Sequence, residues 1–184
     1  MIDQLEKLYE KFLHRPSGDL YLDLTQQILS EDSHIRNHED WHALQNMVRL
    51  TDYQGMVREA ANFIPAWLLS PRFHQLLADS ASHLGDEELV ELEDFQMRQC
   101  LAGLMNTGDG TSSKPYRIAH TSDLYDVLAA RELNARAQHQ VQHAEFIGDL
   151  ITCDGGTELW FRPVLQPTTP YQNVVMEQKL MRIP

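Results

Sequence analysis

The chain has 184 residues, 42% of them hydrophobic, which is enough for one substantial core and too apolar for a disordered chain. No apolar run approaches the roughly 18 to 20 residues that span a bilayer. The first residues lack a basic segment followed by an apolar one, so no signal peptide is predicted. Its two cysteines, Cys100 and Cys153, have neither a metal-binding nor a CxxC spacing. We therefore expect reduced thiols and a cytoplasmic location.

The net charge of −12 is unevenly distributed along the chain. Residues up to Asn106 include 8 basic and 18 acidic side chains, whereas the remainder has 7 and 9. This charge would repel a phosphate backbone, so a nucleic-acid partner is not expected. It would attract a basic protein partner, although solubility alone explains an acidic surface equally well.

Apolar residues in the first half recur at helical spacing and predict six amphipathic helices. The predicted helices are Ile2–His14, Leu20–Leu29, Glu39–Leu50, Asp52–Phe63, Pro71–Leu84 and Asp86–Asn106. The polar residues 31–38 are predicted to form a loop. Paired helices with short joints are typical of tetratricopeptide-type hairpin arrays, but no clean period of 34 residues is present. Packing of unrelated helices therefore stays open as an alternative.

The second half begins after a stretch of turn-forming residues, 106–120, which is rich in Gly, Ser and Thr. A strand at 116–120 is followed by a helix from a Thr121 or Ser122 cap to Arg131. Strands at 146–153 and 158–164 flank Asp154-Gly155-Gly156, a hairpin signal. Residues 135–144 receive no assignment, and the tail from Leu165 is expected to be extended on the surface or disordered.

These patterns predict an α+β chain in which an N-terminal antiparallel helical-hairpin array precedes a small mixed module with a β-hairpin. The expected divisions are 1–106 for the array, 107–164 for the module packed on it, and 165–184 for the tail.

Several short segments carry a family resemblance. They are Leu84-Gly85-Asp86-Glu87-Glu88, Gly108-Asp109-Gly110-Thr111-Ser112, Tyr116-Arg117-Ile118, Leu124-Tyr125-Asp126-Val127-Leu128 and Leu159-Trp160-Phe161. Together they resemble a bacterial domain-of-unknown-function family that joins tetratricopeptide-like helices to a small C-terminal β module opening with a Ser-Gly-Asp-Gly-Lys/Thr-Ser turn. The resemblance covers about Arg72 to Val164, and Thr107 replaces the usual serine. It implies the architecture and no catalytic residues.

The sharpest chemical motif is His38-Glu39-Asp40-Trp41-His42, which fits H-E-x-x-H. In that motif two histidines one helical turn apart bind zinc and the glutamate is the general base. Glu59 is the best third ligand on the next predicted helix. Asn37, however, is a good N-cap, which would place the motif at a helix start, where ligands are held less rigidly. A zinc-dependent hydrolase is therefore an alternative hypothesis.

Other polar residues form weaker patterns. His120, His139 and His143 could cluster with Cys153, and Ser122, His139 and Asp126 could form a triad. Nothing in their spacing fixes them in space, so a polar linker is the better interpretation. The segment 108–114 is interpreted as a tight turn, because it lacks the spacing of a phosphate-binding loop.

An acidic run supplies the candidate partner-binding residues: Asp86, Glu87, Glu88, Glu91, Glu93 and Asp94. Such a run is often only a solvated helix face. As a functional surface it would meet basic side chains. We expect a non-catalytic protein-binding module without cofactor, of the acidic immunity or antitoxin type, which neutralises a basic protein such as a secreted toxin. A structural adaptor is a further alternative, and neither nucleic acid nor membrane is an expected partner.

Overall fold

A computed structural model describes residues 2–29, 33–64, 66–143 and 146–165, with side chains at 2, 3 and 33–39 excluded. Within these residues the chain forms seven α-helices and one four-stranded mixed sheet. The predicted α+β class is confirmed. Except for Leu165, the predicted tail lies outside the described residues.

Of the helices in the described residues, six lie in the first part of the chain and the seventh lies in the second. They are α1 (Ile2–His14), α2 (Gly18–Ile28), α3 (Ser33–Arg49), α4 (Tyr53–Phe63), α5 (Pro71–Leu84), α6 (Glu87–Met105) and α7 (Thr121–Ala130). The strands are β1 (Tyr116–Ile118), β2 (Ala135–His143), β3 (Phe146–Cys153) and β4 (Glu158–Pro163). No helix in the described part of the chain is both long and apolar enough to cross a bilayer.

Local capping fixes several helix ends. Asp52, Ser70 and Asp86 each accept a hydrogen bond from the backbone N–H three residues further on, which satisfies a donor at the start of α4, α5 and α6 respectively. Gly85 ends α5 with a φ of 74°, a left-handed conformation that favours glycine. The predicted bounds of α5 are confirmed.

Helix α3 begins earlier than predicted. It starts at Ser33, so the predicted loop over 31–38 is wrong from that residue onward, and Asn37 lies inside the helix rather than at its N-cap. The segment is polar but contains neither Gly nor Pro. Polarity alone does not stop a helix, since only those two residues strongly disfavour its interior.

The cap of α7 and the first strand of the hairpin sheet also differ from the prediction. His120, not Thr121 or Ser122, occupies the N-cap position of α7. Asp123, the third residue of the helix, accepts a hydrogen bond from the His120 backbone N–H at 2.9 Å. The unassigned residues 135–143 form β2. This edge strand is mostly exposed and therefore polar, so its sequence lacks the apolar alternation by which a strand is predicted.

The sheet has the strand order β1-β4-β3-β2. β1 pairs parallel with β4, and the other two pairings are antiparallel. Paired residues share a face, and the inward face packs against α7 with buried side chains from three strands: Tyr116, Ile118, Ile151, Leu159 and Phe161. The opposite face, here called the outer face, carries Arg117, Trp160 and Arg162.

One hydrophobic core crosses the joint between the two predicted segments. Phe12 and Tyr21 from the helical part lie in the same cluster as Val127 and Phe161 from the second part. A second core holds the α3–α5 region together around Leu44, Trp67 and Phe73. The small module is therefore anchored to the helices by a shared apolar interior rather than by surface contacts.

The approach of α2 to the end of α6 requires a glycine. A Cβ on Gly18 would lie 2.3 Å from the Asn106 carbonyl oxygen, and backbone atoms cannot move away as a side chain can. We expect Gly18→Ala to lower the free energy of unfolding by about 1–3 kcal/mol, the usual cost of overpacking. Urea denaturation would measure the change.

The exposed Gln26 on the same helix provides the control. Gln26→Ala should leave the free energy of unfolding within about 0.5 kcal/mol of wild type. Equal stability of the Gly18→Ala and wild-type proteins would contradict the close approach of the two backbones.

Candidate functional site

The acidic run lies at the start of α6, and its members differ in exposure. Asp86, Glu87, Glu88 and Glu91 are exposed, and Asp94 is half-buried. Asp86 also caps the helix, since its Oδ1 accepts from the Leu89 backbone N–H at 3.1 Å. Glu87 and Glu88 occupy the first turn, where negative charge is stabilised by the helix dipole.

Glu93 does not belong to this exposed surface, and its inclusion among the partner-binding residues is corrected. It is buried, and its Oε2 lies 2.6 Å from the Nδ1 atom of the buried His74 on α5. The His74 Nε2 atom in turn lies 2.8 Å from the Leu68 carbonyl oxygen. The Glu93 carboxylate therefore ties α6 to α5 and to the preceding turn, and a partner cannot reach it.

Two large apolar side chains are exposed on the acidic face of α6. Leu92 is 50% exposed and Phe95 is 38% exposed. Residues three, four and seven positions apart share a helix face, so both lie beside Glu88 and Glu91. The buried side of the same helix carries Glu93, Cys100 and Leu104. The exposed side is thus a mixed acidic and apolar surface, defined hereafter as the α6 surface: Glu87, Glu88, Glu91, Leu92 and Phe95.

A shallow depression adjoins this surface where α5 turns into α6. It has a volume of about 340 Å³ and is lined by Ser82, Gly85, Asp86, Glu87, Val90 and Glu91. Nearby on α5, the pKa of Asp79 is raised by partial burial and, to a smaller extent, by the charge of Asp94, while His83 and Arg72 lower it. The carboxylates of Asp79 and Asp94 therefore repel each other, and His83 and Arg72 partly offset this repulsion.

The zinc-motif residues lie on α3. Because the helix runs from Ser33 to Arg49, positions 38 and 42 are one turn apart in its interior, and the expected helix-start position of the motif is wrong. His42 is exposed, while the side chains of His38 and Glu39 lie outside the described residues. The Glu59 carboxylate is bonded to Arg58 and Asn62. Among the described side chains, no group of three or more His, Cys, Asp or Glu is placed to hold a metal ion.

The structure does not join the other histidine patterns. His120 is buried and stacks on Trp67, with ring centroids 4.2 Å apart. His139 and His143 lie on β2, on the outer face of the sheet, with His139 exposed, whereas the Cys153 thiol is buried on the inward face. The Asp126 carboxylate binds Arg72 at 2.8 Å. The described structure therefore supports neither the Ser122–His139–Asp126 triad nor the histidine–cysteine cluster.

The predicted tight turn at 108–114 is present. Asp109 accepts hydrogen bonds from the backbone and the hydroxyl of Thr111, at 3.0 and 2.8 Å. These bonds lower the pKa of Asp109. Gly110 has a φ of 84°, and a Cβ there would lie 2.7 Å from Leu159. The loop is thus stabilised by hydrogen bonds between its own residues, and it packs against Leu159 of the sheet.

Where the helices meet the sheet module, a buried carboxylate accepts three hydrogen bonds. The Oδ2 atom of the fully buried Asp123 accepts from the Ala119 and His120 backbone N–H groups, at 2.8 and 2.9 Å, and from the Tyr21 hydroxyl at 3.2 Å. Tyr21 lies on α2 and Asp123 on α7. This carboxylate therefore connects the first part of the chain with the second.

Burial raises the pKa of both aspartates on α7. The pKa of Asp123 rises to about 6, because desolvation outweighs the hydrogen bonds from His120, Ala119 and Tyr21 that stabilise its charged form. The pKa of Asp126 also rises to about 6, because burial outweighs the attraction of Arg72. Each carboxylate has one oxygen without a hydrogen-bond partner in the described structure, which is consistent with a poorly solvated charge.

The outer face of the sheet carries a second group of charges. Arg117 and Arg162 are register partners on the parallel strands β1 and β4. The Arg162 guanidinium lies over the Phe146 ring, 5.2 Å from its centroid. The pKa of Arg117 is lowered by burial and by the charge of Arg162. The two cations are therefore close enough to repel each other.

Comparison with known proteins gives no relative: the chain matches no protein-family model, no curated protein and no solved structure.

Sequence reasoning missed three features of these surfaces. The inward position of Glu93 was available from spacing, since it lies four residues after Leu89 and seven before Cys100, on the buried stripe of α6. The exposure of Leu92 and Phe95 could not be predicted from the sequence, because their hydrophobicity alone predicts that they are buried. The pairing of Arg117 with Arg162 depends on strand register, which the separate segments do not reveal.

The buried aspartates predict an unusual pH dependence of stability. Their folded-state pKa values of about 6 exceed the ordinary value of 3.8, so the folded state binds protons more tightly than the unfolded state. Stability contributed by these groups should therefore rise as the pH falls from 7 to about 5. A shift of this size corresponds to roughly 3 kcal/mol per group once the pH is below the unfolded value of 3.8, and about half of this gain falls between pH 7 and 5.

Urea denaturation at several pH values would measure the effect, with Asp123→Asn as the variant. The amide oxygen that this substitution introduces can still accept the backbone N–H bonds, but the group no longer titrates. The pH slope of the variant should be smaller than that of wild type. The same slope in both proteins would contradict the assignment to Asp123.

Proposed function

We propose that this chain is a non-catalytic protein-binding module whose α6 surface captures a basic, amphipathic partner. The observation that carries the proposal is the exposure of Leu92 and Phe95 one helical turn after the exposed carboxylates of Glu88 and Glu91. Charged side chains alone require no partner, since they are well solvated. Two large apolar side chains on the same face are in contact with water in the described structure, and their burial by a partner would be favourable.

The arrangement matches the anatomy of a protein interface. Apolar anchors lie at the centre of such interfaces and charged groups form the rim. On α6, Leu92 and Phe95 supply the apolar contacts. Glu87, Glu88 and Glu91 lie toward the start of the helix, next to the depression. The depression can accept the end of a lysine or arginine side chain from the partner.

The kind of partner follows from this pattern. A segment that presents leucine-like side chains on one side and lysine or arginine on the other would satisfy both parts of the α6 surface. A basic toxin is a protein of this kind, so an immunity or antitoxin role is the form of the proposal that we favour. The net charge of −12 would increase the rate of encounter with such a partner.

The helical part supports a rigid presentation of the surface. Successive helices from α3 to α6 each pack on the next, as they would in the tetratricopeptide-like array that we propose. The buried Glu93–His74 contact fixes the face that α6 turns outward. A partner would therefore meet a preformed surface and lose little entropy in ordering it.

A synthetic amphipathic helix of Leu and Lys provides a defined probe of the α6 surface. Neutralisation of the rim by Glu87→Gln, Glu88→Gln and Glu91→Gln, or truncation of the anchors by Leu92→Ala and Phe95→Ala, should each weaken its binding. We expect a loss of about tenfold or more in Kd, equivalent to about 1.4 kcal/mol. Isothermal titration calorimetry would measure both effects.

A matched control changes the net charge by the same amount elsewhere. Glu6→Gln, Glu10→Gln and Asp19→Asn alter exposed acids of α1 and α2 and should leave Kd nearly unchanged. An equal loss of affinity in the control would show that only overall charge attracts the probe. A poly-lysine peptide without leucine should bind more weakly and should be insensitive to the truncation of Leu92 and Phe95.

The alternative of a zinc-dependent hydrolase gains one supporting observation, because positions 38 and 42 lie inside a continuous helix. The two hypotheses differ in a simple measurement. We expect elemental analysis of the purified protein to give substoichiometric zinc that His42→Ala does not change. Stoichiometric zinc that is lost in His42→Ala, with the far-ultraviolet circular dichroism unaltered, would favour the hydrolase.

A further inference from the structure

The outer face of the sheet carries a cationic surface. Arg117 and Arg162 lie side by side, and Trp160 lies two residues before Arg162 on the same face. All three side chains are partly exposed. Phe146 is covered by the Arg162 guanidinium and by the His143 ring, whose centroid lies 5.0 Å from that of Phe146. The three side chains Arg117, Arg162 and Trp160 are hereafter the cationic face.

The positive charge of this face is not neutralised within the described residues. Neither Arg117 nor Arg162 forms an ion pair there, and the Nε atom of each is buried without a hydrogen-bond partner. The nearest acid on the same side of β4 is Glu158, four residues from Arg162 and opposite Thr152. A carboxylate supplied by another molecule would remove the repulsion between the two guanidinium groups.

The same chain carries a surface of complementary chemistry at a distance. The Thr107 hydroxyl accepts a hydrogen bond from the Arg117 backbone N–H at 2.9 Å, so the cationic face begins near the C-terminal end of α6. Glu88 and Glu91 lie near the opposite end of that helix. At 1.5 Å per residue they are roughly 20 to 25 Å away. The two surfaces cannot meet within one molecule.

We propose that the cationic face binds the α6 surface of a second copy of this chain. Carboxylates of Glu88 and Glu91 would pair with the guanidinium groups, and Leu92 and Phe95 would pack on Trp160. Such a contact is head-to-tail, because it joins two different surfaces, and it leaves one of each free for further copies. Both copies carry −12, but this repulsion is screened beyond about 8 Å at physiological salt.

Self-association would have a functional consequence that rests on the proposed function. A copy whose α6 surface is covered by its neighbour cannot capture a basic partner until the neighbour leaves. The α6 surface would therefore be covered within the assembly. A basic amphipathic partner would compete for this surface and dissociate the assembly.

Sedimentation velocity of the full chain at physiological salt tests the proposal through two complementary variants. One variant carries Arg117→Gln and Arg162→Gln, and the other carries Glu88→Lys and Glu91→Lys. Wild type should sediment faster as its concentration rises, whereas each variant alone should remain monomeric. A mixture of the two variants should form a one-to-one complex that grows no further, because it retains one intact copy of each surface.

Several results would overturn the proposal. Wild type that stays monomeric at every concentration would do so. Variants that associate like wild type, or a mixture that gives no complex, would also contradict it. If the double arginine variant does not fold, Arg117→Gln alone should weaken association, since Arg117 is half-buried on a three-residue edge strand.

The proposed function is tested separately in the same material. The double arginine variant keeps its α6 surface and should bind the Leu/Lys peptide at least as tightly as wild type. Loss of self-association with retained peptide binding would confirm that the two interactions are distinct. If wild type binds the peptide normally but does not self-associate, the self-association proposal is rejected and the proposed function is not.

Discussion

The fold depends on the carboxylate of Asp123, where the helical part and the sheet module meet. One oxygen of this buried group receives two backbone N–H donors at the start of α7 and the Tyr21 hydroxyl from α2. Those contacts fix the entry of α7, which carries Leu124 and Val127 into the core shared with the sheet. The arrangement has an energetic disadvantage, because a buried charge is poorly solvated and the pKa of Asp123 rises to about 6. The geometry is specified by a group that costs stability at neutral pH.

Helix α6 links this interior to the surface that we propose is functional. Its buried side contributes Cys100 and Leu104 to the shared core and Glu93 to the contact with His74. Since that side is fixed by packing and by a buried polar pair, the opposite side is fixed as well. Leu92 and Phe95 are exposed as a result of this orientation rather than of local looseness, and the acids beside them stay solvated without a partner. Glu93, on the buried side of α6, therefore helps to fix the orientation of the proposed binding surface without being part of it.

Sequence patterns predicted those elements whose signals are local. The bounds predicted for α5, Pro71–Leu84, are confirmed, the predicted start of α6 at Asp86 is its N-cap, and Asp154-Gly155-Gly156 joins two strands as predicted. Prediction failed where packing decides. Strand β2 is polar and mostly exposed, so it shows no apolar alternation, and α3 extends into a polar segment that contains no helix-breaking residue. For the candidate site, the run of acids directed attention to the start of α6, where we propose the binding surface. The sequence alone did not separate Glu93 from its exposed neighbours or place Arg117 beside Arg162, because both depend on tertiary contacts.

The central claim is that one face of α6 is a binding surface for a basic amphipathic segment. Hydrogen–deuterium exchange of the wild-type chain, with and without a saturating Leu/Lys helical peptide, tests it most directly. Opening of the first turns of α6 should become rarer when a partner covers Leu92 and Phe95. The account predicts slower exchange concentrated between Asp86 and Arg98, with α1, α2 and β2 unchanged. Unaltered exchange in α6, or slowing centred on α3 around His42, would contradict it.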